Sequence, residues 1–150
     1  NMIKKFNECI HTRSYYKYNS SNWLLTEPLS EDFTHYRHRV LHQIEVSRKH
    51  KKQINYVYMN EIPSNLWLGE EFNNWRFSLQ VSNKESLINA IFDKGFFASS
   101  HYASMSGIFD NGSAPNAEFI HSKMVNLFND FRITKEQAYE IAKIVKVMGK

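Results

Sequence analysis

Between Trp75 and Val81 the chain alternates: Trp75, Phe77, Leu79 and Val81 are apolar, and Arg76, Ser78 and Gln80 between them are polar. Period-two alternation sends successive side chains to opposite faces, so this segment predicts a strand with one face on a core. The signals then become helical at once. Ser82 with Glu85 three residues on is a capping-box pattern, Leu87, Ile88, Ile91 and Phe92 form a stripe at helical spacing, and Gly95 supplies a stop. A strand that passes directly into a capped helix restricts the chain to folds that layer helices on a sheet.

The same signals recur on both sides of this unit. Ser30, Glu31 and Asp32 supply an N-cap residue and first-turn acids for a long helix, with Phe33, Val40, Leu41 and Ile44 on one face. It continues through a basic run into Tyr56, Val57 and Tyr58 before Pro63 limits it. After Gly95, Phe96 to Ser99 predicts a second strand, and Gly107, Asn111 and Gly112 break the pattern into a loop. Pro115 suits the first turn of a third helix, Met124 to Phe128 reads as a short buried strand, and Thr134 with Gln137 caps a final helix whose stripe is Ile141, Ile144, Val145 and Met148. The expected class is α/β in the sense of an α+β sandwich, a small sheet with helices on one side. Residues 1–31 form an irregular segment, 32–66 a connecting helix and loop, and 67–150 the small domain. With 150 residues there is room for one hydrophobic core.

Charge and cysteine content exclude little but set a background. The net charge of +4 permits an acidic partner, yet much of it sits in Arg48 to Lys52, a run expected to be a solvated helix face. Cys9 is the sole cysteine, so no internal disulfide forms and a reduced, cytoplasmic setting is expected. No apolar stretch approaches the ~20 residues that cross a bilayer, and no membrane partner is expected.

Several constellations invite chemistry and are better explained without it. His38 and His42 have the four-residue spacing of a metal pair, but Arg39 stands where a zinc protease carries its glutamate, and the neighbours are basic. Cys9 and His11 are two residues apart in a segment expected to be irregular, a spacing that says nothing about their side chains meeting, and an incidental cysteine is the expectation. Arg13, Tyr15, Tyr16, Lys17 and Tyr18 mix cations with rings as a single-strand platform does, yet no RNA-recognition signature accompanies them, and nucleic acid is not expected as a partner. The informative stretch is Phe97 to Ile108, FASSHYASMSGI, which gathers hydroxyls, an imidazole and a phenol just past a strand end. Ser99, Ser100, His101 and Tyr102 there can hydrogen-bond a sugar or a phosphate, and His101 can carry charge in mild acid, although from these residues alone a plain turn is the readier expectation.

At these residues the chain resembles the DegT/DnrJ/EryC1/StrS family of pyridoxal-phosphate-dependent sugar aminotransferases, which have fold type I. The resemblance is an ordered series: WRFSLQV, the helix ESLINAIFDKG, the run FFASSHY, the loop segment APNAEFIH, the strand MVNLF and the helix ITKEQAYEIAKIV. It is good from Trp75 to Val147, fair from Asp32 to Leu66 and weak before Asp32. It implies the family's small carboxy-terminal domain, with a mostly antiparallel sheet. It also implies that His101 and Tyr102, assisted by Ser99 and Ser100, face a nucleotide-linked keto-sugar. Ala114 and Pro115 stand where the family often has Cys-Pro, and Phe128 where it often has Pro, which leaves the sugar open.

The resemblance also implies what this stretch does not carry. The cofactor lysine and the carboxylate that holds the pyridinium nitrogen belong to the family's larger, amino-terminal domain. The chain is therefore expected to be a cut piece or truncated product, to bind no pyridoxal phosphate by itself, and to catalyse nothing alone. In the whole protein the amino group would pass from glutamate to the keto-sugar, for surface-polysaccharide or antibiotic sugar synthesis. A related dehydratase is the neighbouring alternative within the family. As a fragment, the chain is expected to have the missing large domain as partner and to be able to form a homodimer; a free-standing, noncatalytic binding or interaction module descended from such an enzyme is the alternative from another class.

Overall fold

The computed structural model describes residues 31–101 and 114–149. Four helices and three strands are described: α1 (Phe33–Glu61), β1 (Phe77–Gln80), α2 (Lys84–Asp93), β2 (Ala98–Ser99), α3 (Pro115–Lys123), β3 (Met124–Leu127) and α4 (Lys135–Met148), with short 3-10 turns at Ser64–Leu66 and Glu70–Phe72. The sheet order is β1-β3-β2, both pairings antiparallel, so the last strand in sequence lies in the middle. This is the expected α+β layout.

The register sorts the strand residues by chemistry. Phe77 faces Leu127, and Leu79 faces Val125, while Ala98 meets Leu127 from the other side. These five share one face, and it is the face on the core. Phe77, Leu79, Val125 and Leu127 are fully buried there with Ile54, Val57 and Tyr58 of α1, Leu87 and Ile91 of α2, and Ile141, Ala142 and Val145 of α4. The 32–66 stretch thus contributes directly to this core. Tyr58 stacks at 5.1 Å on Phe77 and donates its hydroxyl to the Phe128 carbonyl at 2.9 Å, which satisfies the one polar atom that this large ring buries. Burial and the charge of Asp130 push its hydroxyl well above the usual tyrosine range.

Local signals predict some element ends and miss others. Thr134 and Gln137 make the full capping box, each side chain bonded to the other's backbone N–H. Pro115 opens α3, and Gly95 follows α2 with φ of 76°, which a glycine adopts without strain. At α1 the cap is Asp32 rather than Ser30: its carboxylate accepts from the Thr34 and His35 amides. Ser30 lies outside the described residues. At α2 the expected Ser82–Glu85 box does not form. Asn83 holds the cap position, and its carboxamide donates instead to the Met148 carbonyl at 2.6 Å, tying the start of α2 to the end of α4.

The largest departure concerns α1. The stripe Phe33, Val40, Leu41 and Ile44 has helical spacing as expected, but these residues are 36–65% exposed. Only the last third of the helix reaches the core. The strand also shortens: Trp75 lies before β1 and is largely exposed, although Val81 still donates to the Lys123 carbonyl at 2.9 Å. No described helix is long and apolar enough to cross a membrane.

Candidate functional site

The second face of the sheet is polar. Ser78 on β1 and Ser99 on β2 both sit opposite Asn126 on β3, so one register level carries a serine, an asparagine and a serine across all three strands. All three are buried. Asn126 works in two directions: its Nδ2 donates to Ser78 Oγ at 3.3 Å, and its Oδ1 accepts from the His101 amide at 3.1 Å. That second bond fixes the backbone as it leaves β2 and presents His101 at the rim, where it is exposed.

The two hydroxyls beside it are less well provided for. Ser99 Oγ and Ser100 Oγ are shut from water and have no hydrogen-bond partner among the described residues. A buried hydroxyl without a partner costs about 1–3 kcal/mol, so this pair is an expense to the fold. Such groups suit a site whose partner is a ligand.

Aromatic and charged side chains frame the rim. The Trp75 indole lies 5.8 Å from the His101 ring, tilted by 49°. The Arg76 guanidinium lies over the Trp75 ring at 4.8 Å and the Phe128 ring at 3.9 Å, and reaches Asp130 at 3.0 Å. Asp130 also takes Arg132, whose Nε donates to its Oδ1 at 2.9 Å. The Arg132 hydrogen bond, helped by both positive charges, holds the Asp130 carboxyl at about 2 against an ordinary 3.8. His50 Nε2 meets the Asp130 and Ile133 carbonyls at 3.1 and 3.0 Å, so that nitrogen must carry the proton.

His101 is less readily the mild-acid cation expected from the sequence. Burial first, then the positive charge of Arg76, lowers its pKa. At neutral pH it is a neutral imidazole, able to donate from one nitrogen and accept at the other.

Of the four residues expected at the site, Ser99, Ser100 and His101 are brought together at the end of β2, and Tyr102 lies outside the described residues. His38 and His42 are both on the exposed part of α1, and no group of three metal-binding side chains occurs among the described residues. The residues that organise the site, Ser78, Asn126, Trp75, Arg76 and Asp130, were not legible as such. The one available signal was Asn126, a lone carboxamide inside the apolar run MVNLF. No family model matches this chain, and a search of curated proteins returns no match.

Proposed function

We propose that this chain is the carboxy-terminal portion of a pyridoxal-phosphate-dependent aminotransferase of the DegT/DnrJ/EryC1/StrS type, and that the rim of β2 contacts a keto-sugar linked to a nucleoside diphosphate. The observation that carries the reading is the polar row Ser78–Asn126–Ser99 ending at His101. It leaves two sequestered serine hydroxyls beside a neutral imidazole, at the place where the resemblance puts the substrate contact. The exposed apolar stripe of α1 further supports a neighbour that continues the protein, since large apolar patches usually mark contact surfaces.

The described residues do not themselves fit the cofactor. Among the described residues, Lys51 is the lysine whose pKa is lowered, from burial and then Arg76, but its amine already donates to the Asn74 carbonyl at 2.7 Å. Asp130, the carboxylate whose charge reaches it, is taken up by Arg76 and Arg132. No cofactor step is assigned to this chain. Its proposed part is to orient a sugar: Asn126 sets the backbone at the end of β2, and His101 stands exposed at the rim beside Ser99 and Ser100.

The test uses this chain joined to whatever coding sequence precedes Asn1 in the same frame. With pyridoxal phosphate, glutamate and a nucleoside-diphosphate keto-hexose, mass spectrometry should detect the amino sugar. His101→Ala should raise KM about five- to tenfold, the loss of one hydrogen bond, while the isolated chain's unfolding free energy changes by less than about 0.5 kcal/mol. Failure to form amino sugar with any keto-hexose, or a KM untouched by His101→Ala alongside a large loss of stability, overturns the reading.

A further inference from the structure

The basic run that a solvated helix face would explain has a different setting in the folded chain. Arg48, Lys51 and Lys52 on α1 line a cleft of about 510 Å³ whose opposite wall is Asn73 and Asn74, with Asn55 between them. Three cations and three carboxamides face this space, and no carboxylate lines it. Such a donor-rich, acid-free cleft recognises an anion with several acceptor oxygens.

The wall is built and not merely crowded. Asn55 Nδ2 and Asn129 Nδ2 both donate to the Asn73 carbonyl, each at 3.1 Å, and Asn129 Nδ2 also reaches Asn55 Oδ1 at 2.8 Å. Asn73 Oδ1 accepts from the Ser78 amide at 3.2 Å, while its Nδ2, in a residue only 4% exposed, is a buried donor with no partner among the described residues. Lys51 is held to the wall by its bond to the Asn74 carbonyl, and its charged form is disfavoured by burial and by Arg76. The fold thus sets Arg48, Lys51 and Lys52 on one cleft, where all three attract an entering anion.

We propose that this cleft is a binding site for a phosphate or diphosphate group of a small molecule, with Arg48 and Lys51 as its principal ligands. The proposal is independent of the aminotransferase reading, since it uses neither the β2 rim nor the resemblance. The cleft volume fits a diphosphate with room for part of its substituent, and Arg48 can take two phosphate oxygens at once where Lys51 acts as a point charge.

Titrating the chain with inorganic pyrophosphate, followed by calorimetry at low salt, tests it. A saturable site of one anion per chain is expected. Arg48→Ala and Lys51→Gln should each weaken it at least about tenfold, the scale of one charge-assisted hydrogen bond. Lys49→Ala, which removes the same charge from outside the cleft, should change it by less than about twofold. Circular dichroism of each variant checks that the fold persists. No saturable binding, or equal loss in Lys49→Ala and Arg48→Ala, overturns the proposal in favour of diffuse charge. Tighter binding of a single-stranded oligonucleotide through the same two residues overturns it in favour of a nucleic-acid backbone.

Discussion

On one face of the sheet Phe77, Leu79, Val125 and Leu127 are 0% exposed and meet three helices; on the other, Ser78, Asn126 and Ser99 are only 3–7% exposed, yet they are polar and incompletely bonded. Burial alone does not separate the two. What separates them is whether the buried atoms have found their partners within the chain. The apolar face is complete, since dispersion and water exclusion need only close packing. The polar face is complete at Asn126, which makes bonds with both Ser78 and His101, and incomplete at the Ser99 hydroxyl. A face assembled for stability alone would carry alanine or valine at that position. On the proposed reading, one face supports the fold and the other is kept for a ligand.

The largest expected effect lies on the apolar side. Phe77→Ala removes a fully buried ring that stacks on Tyr58 at 5.1 Å and on Trp67 at 5.9 Å, and should cost about 3–5 kcal/mol by urea denaturation. A loss below about 1 kcal/mol would mean that the two faces are not unequal in the way described.

The contrast was partly legible in sequence, and the physical reason is range. Thr134 and Gln137, Pro115 and Gly95 mark ends correctly because each acts on its own backbone or within one turn. Ser82 and Glu85 fail because Asn83 is drawn to Met148, a contact 65 residues away that no local pattern contains. The alternation from Trp75 to Val81 gives β1 and its two faces, but only the register with β3 reveals that Ser78 meets Asn126. The period of Phe33, Val40 and Ile44 is right for a helix, while a period alone does not say whether anything packs against it. His101 was legible as a candidate because it stands in a hydroxyl-rich run at a strand end. Arg76 and Asp130 were not, since their pairing joins residues 54 apart.

A second, smaller effect tests the frame around the polar face. Asp130 is held at about 2 first by its hydrogen bond from Arg132, so its charged form is favoured in the folded state. Because the folded pKa lies below the unfolded one, this contribution is complete above about pH 4 and disappears as the pH falls towards 2. It is on the order of 2 kcal/mol at neutral pH. Asp130→Asn should remove about that much at pH 7 and flatten the stability profile between pH 4 and 2. An unchanged acid limb in the variant would show that Asp130 is not a source of acid sensitivity.

The smallest expected effect is the most direct test. If the buried hydroxyl of Ser99 is kept for a ligand, the chain without ligand gains nothing from it, and removing a polar group that lacks a partner relieves its desolvation cost. The unfolding free energy of Ser99→Ala, measured in urea on the unliganded chain, should equal that of the parent or exceed it by up to about 1 kcal/mol. A loss of about 1 kcal/mol or more would show that the hydroxyl supports the fold, and the distinction between the two faces of the sheet would fail.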